Sequence, residues 1–377
     1  MSSLQPFRLA IQSNTINIFS TTLRYTSEQP SIKTIKIDKN DLKKEYLKAK
    51  LYKDGCTEVI RPIVGEKQEH PKVEFCTWDC LNYALKLKEK GLNPLVLNMA
   101  NDEHPGGGYL VGAGAQEENL FRRTNLFQYH ESNSHWYPFQ NAGGIYSPNA
   151  LVIRASEQEN YKLLSVPTKM SFVSVAALKF PELVEEEEEK EEEKEEEEEE
   201  EKEEEKEEEK EEKKEEEKEE KKEEKKEEEK EEEKEEKKEE EKKEEDKEVE
   251  KKVGEEKEEQ KNVNKKIEYK KYTLTPEAKE LTRQKIRAIM NIGIDNGHDA
   301  IVLSAFGCGA FRNPPITMAE LFYEIITKEF AGGKENLPKT YRHIGFSIFD
   351  DKSVMRRKDG QGNVEPFKRI FDNFVWK

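Results

Sequence analysis

Residues 98–126 read NMANDEHPGGGYLVGAGAQEENLFRRTNL. The apolar run that leads into them, from Pro94 to Met99, predicts a buried strand. Three consecutive glycines follow, Gly106, Gly107 and Gly108, and seven residues separate them from Gln116, Glu117 and Glu118, where a helical pattern begins. Strand, glycine loop and helix in that order is how α/β proteins hold anionic groups. Glycine lets the backbone approach a ligand closely, and N–H groups near a helix start favour negative charge. The stretch is neither of two common nucleotide loops: no Lys followed by Ser/Thr comes after the last glycine, and GxGxxG is absent. The glycines by themselves specify an anion or a close backbone approach and nothing narrower.

The acids narrow the chemistry. Neighbours on a helix point about 100° apart, so Glu117 and Glu118 cannot face each other across a bond as a glycosidase pair does. Either one faces a ligand while the other holds the substrate or the loop, or both are helix N-terminal acids stabilised by the dipole.

These residues resemble the signature of the microbial-type poly(ADP-ribose) glycohydrolases, catalytic macrodomains in which a GGG triplet is followed at short spacing by QEE. The resemblance continues through FRRTNL at 121–126. Upstream, NMAN at 98–101 resembles the macrodomain NAAN turn, whose last residue, here Asn101, faces the distal ribose. GGIYSP at 143–148 with LVIR at 151–154 resembles the family's GxIYSP segment and the strand after it. GCGAF at 307–311 resembles the loop that wraps the diphosphate. One segment departs from the family: the usual AAP-type strand end is replaced by Ala176, Ala177, Leu178 and Lys179, with Pro181 slightly later.

The resemblance implies an α/β fold, a macrodomain-like three-layer α/β/α sandwich with a mixed sheet. A helical N-terminal extension would occupy 1–70, and the catalytic domain 71–184 and 262–377, split by a Glu/Lys-rich low-complexity insert at 185–261. It further implies hydrolysis of the ribose–ribose O-glycosidic bond of poly(ADP-ribose), releasing ADP-ribose. Glu118 would be the general acid and Glu117 would hold ribose hydroxyls. Asn101, Gln116 and the backbone of Gly106, Gly107 and Gly108 would shape the ribose pocket. Gly307, Cys308, Gly309 and Ala310 would offer N–H groups to the diphosphate, and Phe311 would stack on the nucleoside. No metal or other cofactor is implied. The implied partners are poly(ADP-ribose) or ADP-ribosylated proteins, with no sequence-specific nucleic acid. Two other classes stay open: a reader that binds ADP-ribose without cleaving it, and a hydrolase of mono-ADP-ribose or O-acetyl-ADP-ribose. Taken alone, the second loop also reads as a tight strand-to-helix turn with a core Phe. Asp79, just after a strand, reads either as a helix N-cap or, by resemblance, as the macrodomain Asp that binds the adenine amino group.

Composition supports a polyanionic ligand once the insert is set aside. The chain has 377 residues and a net charge of −18. Residues 185–260 hold 50 acids and 22 lysines, which leaves 33 acidic and 43 basic residues elsewhere, a net of +10. A basic body suits a polyanion, although net charge informs association and not fold. Cys56, Cys76, Cys80 and Cys308 form no zinc-type pairing and read as reduced thiols of an intracellular protein. The N-terminal residues lack the apolar core of a secretory signal. No run approaches the ~20 apolar residues of a membrane span.

The remaining elements follow from periodicity. Residues 7–24 form a loose helical pattern, 31–38 alternate as a strand, and 41–53 look helical and charged. Strands are expected at 73–76, 171–178, 300–303 and 341–349. Helices are expected at 80–90, at 276–296 behind Thr275 and Pro276, at 318–330 and at 367–374. The GGIYSP segment reads as a turn feeding a strand, and His130 and His135 read as loop surface. The insert has i,i+4 Glu–Lys pairs but no apolar seam, so it is not a coiled coil. It is a solvated helix or disorder. A straight helix over 185–246 would be ~90 Å long, so the chain returns to the same body only through breaks, a fold-back or disorder.

Overall fold

The computed structural model describes residues 4–53, 70–138, 141–185, 272–330, 341–350 and 362–372. In chain order its elements are helix α1 (Gln5–Asn17), strands β1 (Arg24–Thr26) and β2 (Thr34–Lys36), α2 (Lys39–Tyr46), β3 (Lys50–Tyr52), β4 (Lys72–Cys76), α3 (Cys80–Glu89) and β5 (Pro94–Met99). There follow α4 (Gln116–Arg123), α5 (Leu126–Glu131), β6 (Gly144–Arg154), β7 (Leu163–Val175) and β8 (Leu183–Glu185). The chain ends with β9 (Tyr272–Leu274), α6 (Pro276–Asp295), β10 (Ala300–Leu303), α7 (Pro315–Glu329), β11 (His343–Ser347) and α8 (Val364–Phe371).

A seven-stranded mixed sheet runs in the order β3-β6-β7-β5-β10-β11-β4. The strands from β7 to β4 are parallel, while β6 is antiparallel to both of its neighbours. Side chains alternate across the sheet, and the alternation sorts them into two cores. Leu95, Leu97, Ile301, Leu303 and Val173 pack with α6, α7 and α8 through residues such as Ile289, Phe322 and Phe367. Val96, Val302 and Phe172 pack on the other face with α3, α4 and α5 through Leu81, Leu120 and Phe127. A mixed sheet, parallel from β7 to β4 and covered on both faces, is the three-layer α/β/α sandwich expected. Helix starts follow local chemistry. Thr275 accepts a hydrogen bond from Ala278 N at 3.3 Å with Pro276 in the first turn of α6, and Asp79 caps α3 through Asn82 N at 2.9 Å.

Three expectations are corrected. The helix expected over 41–53 ends at Tyr46, and Lys50–Tyr52 pairs antiparallel with β6. An unpaired β6 edge needs a partner, which a local charge pattern does not report. The N-terminal extension is therefore not purely helical: it contains β1 and β2 and supplies the sheet's edge strand. GIYSP is not a turn but part of β6, with a register shift between Ser147 and Ala150. The strand expected at 171–178 ends at Val175 and is the buried half of β7, which begins at Leu163 with a half-exposed stretch that carries no apolar run.

The described residues through 185 and from 272 onward belong to one compact unit. Most of the low-complexity insert, and residues 262–271 assigned to the second catalytic segment, lie outside the described residues. Its attachment is described: β8 and β9 pair antiparallel with Glu185 opposite Tyr272, so the chain leaves and re-enters at one point. Closing a long connection costs only about 0.6 kcal/mol per doubling of its length. Replacing 186–271 with a short Gly/Ser turn is expected to leave the melting temperature unchanged or slightly raised. A thermal melt with a large drop would instead make this segment part of the folded core.

Candidate active site

Both glycine loops leave the carboxyl ends of adjacent parallel strands. The first follows β5 and the second follows β10, which pair in register from Pro94 to Val96. Ligands of open α/β sheets bind at this edge.

Gln116 fastens the first loop's helix. Its Nε2 donates to Leu97 O at 2.6 Å and its Oε1 accepts from Met99 N at 2.8 Å, so the side chain behaves as one more strand residue beside β5. It sets where α4 begins, and those two polar atoms are engaged with β5 backbone. Glu117 is 3% exposed. Its Oε2 accepts from Asn101 N at 2.8 Å and its Oε1 from Asn98 Nδ2 at 3.3 Å. Glu118 is also buried. Its Oε1 accepts from Gly108 N at 2.9 Å, and its Oε2 has no partner among the described residues. The two carboxyls thus point different ways, as their helical spacing requires.

The glycines are dictated by these contacts. A Cβ on Gly106, where φ is +73°, would lie 2.5 Å from the Phe121 ring, and one on Gly107, at φ +51°, would lie 3.0 Å from Glu118 Oε1. One on Gly108 would lie 2.7 Å from the Ala113 side chain. Asn101 shapes the same loop: its Oδ1 accepts from Glu103 N and His104 N at 2.9 and 2.8 Å.

Burial pushes the Glu117 carboxyl up to about 8; the Asn101 N–H opposes that rise and the Glu118 charge adds to it. Glu117 therefore keeps its proton at neutral pH.

The rest of the motif is scaffold. Phe121 lies beneath Gly106 and against Tyr109, 5.1 Å between ring centres. Arg122 is fully buried, with Nη1 donating to Ala113 O at 2.8 Å and Nε to Tyr161 Oη at 3.1 Å. Arg123, equally buried, donates to Asp79 Oδ1 at 2.7 Å. Asp79 is therefore the N-cap of α3 and a buried arginine's counter-ion, both through Oδ1.

In the second loop Gly307 has φ +74°, and a Cβ there would lie 2.5 Å from both Ala177 Cβ and Asn313 Nδ2. Asn313 ties the loop to the segment that follows β7 by donating to Leu178 O at 2.7 Å. Cys308 is fully buried and its N–H donates to Ala305 O at 3.0 Å. That N–H, expected by resemblance at a diphosphate, donates within the turn. Gly309 and Ala310 are exposed and Phe311 is half-buried against the α6–α7 core.

His130 overturns its expectation. It lies in α5, not in a surface loop, and is fully buried. Burial pushes its imidazole down to about 3, so it is neutral. Asn98 and Ser174, not proposed as site residues, lie opposite each other on β5 and β7. Asn98 donates to both Ser174 Oγ, at 3.0 Å, and Glu117. The signal that could have found them is a polar residue interrupting a buried apolar run, LVLNM and SFVSV. Among the described residues no group of three or more His, Cys, Asp or Glu is placed to hold a metal ion, and no helix is long and apolar enough to cross a membrane.

Residues 14–155 match the family model for the catalytic domain of microbial-type PARG. The match includes the glycine triplet and both acids and ends before the second loop. No curated protein sequence matches. Among solved structures, the chain is similar to poly(ADP-ribose) glycohydrolase (PARG) from Thermomonospora curvata at 19% identity, with 97% of this chain and 99% of that chain covered and a TM-score of 0.60. That enzyme bound to the inhibitor ADP-HPD has the same identity and coverage and a TM-score of 0.58. The Deinococcus radiodurans glycohydrolase in complex with ADP-ribose is 19% identical over 89% of this chain and 98% of that chain, with a TM-score of 0.51. At these identities the likeness establishes the shared fold.

The raised Glu117 titration has a consequence for stability. Unfolded, this carboxyl loses its proton near 4.5; folded, it holds it to about 8. Between those values the folded state binds the extra proton, so Glu117's contribution is full below pH 4.5 and is lost as pH rises through about 8. Glu117→Gln cannot titrate. Comparing melting temperatures across pH 5 to 9 is expected to show wild type losing stability relative to this variant as pH rises; parallel curves would remove the assigned shift.

Proposed function

We propose that the chain is a poly(ADP-ribose) glycohydrolase that cleaves the ribose–ribose O-glycosidic bond and releases ADP-ribose. One observation carries the assignment of roles: both Glu117 oxygens accept N–H bonds, whereas Glu118 Oε2 is buried beside the glycine triplet and accepts none. A proton on that oxygen breaks no bond of the fold and is available to a leaving group.

In this reading the distal ribose lies against the first loop, with Asn101 and Gly106–Gly108 around it. Glu117, fixed from two sides, orients the ribose hydroxyls. Glu118 protonates the leaving ribose oxygen, the ring passes through an oxocarbenium-like centre, and a water attacks that centre. A single acid suffices if the substrate's own diphosphate places the water, so a second facing carboxylate is not required. Gly307, Gly309 and Ala310 line the diphosphate and Phe311 stacks on the nucleoside. The substrates are poly(ADP-ribose) or ADP-ribosylated proteins. Purified protein on poly(ADP-ribose), assayed for free ADP-ribose, tests the reading. Binding without product would make the chain a reader, and product only from mono-ADP-ribosylated or O-acetyl-ADP-ribose substrates would make it a different hydrolase.

Two variants follow from this arrangement. Glu118→Gln keeps size and hydrogen bonding but cannot deliver a proton, and positioned acid catalysis is worth about 10²–10⁴-fold. Single-turnover release is expected to fall by about that factor with ADP-ribose binding retained, and Glu117→Gln is expected to be milder. Wild-type turnover by Glu118→Gln would remove the acid role, and a dead Glu117→Gln beside an active Glu118→Gln would exchange the two. Phe311→Ala is expected to weaken ADP-ribose binding by about 1–3 kcal/mol, the scale of base–aromatic stacking. Unchanged affinity by calorimetry in a folded variant would return Phe311 to the core.

A further inference from the structure

A chain of buried polar groups starts at Glu117. Asn98 Nδ2 lies 3.3 Å from Glu117 Oε1 and 3.0 Å from Ser174 Oγ. Ser174 Oγ lies 3.1 Å from His130 Nε2, and His130 Nδ1 lies 2.6 Å from the Tyr137 hydroxyl. Asn98, Ser174 and His130 are each 0% exposed. Burying polar groups is costly unless they are paired, and an apolar residue at position 130 would avoid the cost. The imidazole also packs on Phe121, 5.4 Å between ring centres, and Phe121 is the ring beneath Gly106. One side chain therefore touches the supports of both the glycine loop and the carboxyl.

Asn98 is the sensitive link. Its Oδ1 is buried with no partner among the described residues, so its amide is held through Nδ2 alone. Without Ser174, nothing but the carboxyl itself keeps that amide aimed. Ser174 has a similar need: its hydroxyl sits between Asn98 and His130, and the imidazole, fixed at its far nitrogen by Tyr137, keeps it there. At the far end of the chain Tyr137 lines a cavity of about 380 Å³ with Tyr52, Trp136 and Gly144.

We infer that His130, acting through Ser174 and Asn98, is a positioning residue that fixes Glu117 for orienting the ribose. The role rests on the glycohydrolase reading and concerns catalysis, not binding of the ADP-ribose product. Misplacing a positioned group lowers kcat while leaving ground-state contacts in place.

The test compares Ser174→Ala, His130→Leu, His130→Gln and the double variant Ser174→Ala/His130→Leu on poly(ADP-ribose). Ser174→Ala and His130→Leu are each expected to lower kcat by about tenfold at unchanged KM and unchanged ADP-ribose affinity. His130→Gln, which keeps a polar atom for Ser174, is expected to recover most of the loss. The double variant is expected to be no worse than either single one, because links of one chain are not additive. Additive losses, losses confined to KM or melting temperature, or wild-type kcat in the single variants would overturn the positioning role. If His130→Leu does not fold, Ser174→Ala decides by the same split of kcat from KM. A wild-type protein that releases no ADP-ribose fails the glycohydrolase reading and this role with it, whereas active wild type with unaffected variants fails this role alone.

Discussion

Two buried carboxyls held against a loop without side chains set the terms for the rest of the molecule. Burying a carboxyl costs several kcal/mol unless it is hydrogen-bonded. Here the bonds come from Asn101 N, Asn98 Nδ2 and Gly108 N. Those donors belong to a strand end and a glycine loop, so strand, loop and helix must meet in one register. Gln116 enforces it by bonding to the β5 backbone at Leu97 and Met99. The loop must then be glycine, because its Cβ positions are occupied by Phe121, Ala113 and a Glu118 oxygen. The signature is thus one steric and electrostatic solution: change the spacing, and either the carboxyls lose their donors or the loop meets side chains.

The sheet supplies the second requirement. Because β5 and β10 are adjacent and parallel, two loops distant in sequence emerge at one edge. Polar interruptions in the buried strands, Asn98 and Ser174, meet because β5 and β7 are also adjacent and in register there. Ordinary sheet pairing thus turns two isolated polar residues into a support for the Glu117 side chain. The buried arginines do comparable work behind the site. Arg123 joins the cap of α3 to the end of α4, so the helices on that face are tied by charge as well as by packing.

The low-complexity segment can be so unlike the rest of the chain because of where it joins. β8 and β9 pair antiparallel where the chain leaves and re-enters the folded unit. The fold therefore imposes no composition on it, and its strong negative charge conceals a basic body in the whole-chain average.

The strand at Pro94–Met99, the glycine loop, the helix from Gln116, and the later run of Thr275-capped helix and strand at Ala300–Leu303 were determined by sequence, because short-range period and cap chemistry specify them. The nearness of Glu117 and Glu118 to the triplet was also legible, since few residues separate them. What sequence could not supply were effects of partners far along the chain. Residues 50–52 are a strand only because β6 has an open edge, and GIYSP is strand because β7 lies beside it. His130 is a buried neutral imidazole because Phe121, Ser174 and Tyr137 surround it. Cys308 directs its N–H into its own turn, and Gln116 turns its amide to a strand backbone. Local pattern fixes which backbone a segment prefers, but the direction in which a polar atom finds its partner is set by burial, and burial exists only once distant segments have packed.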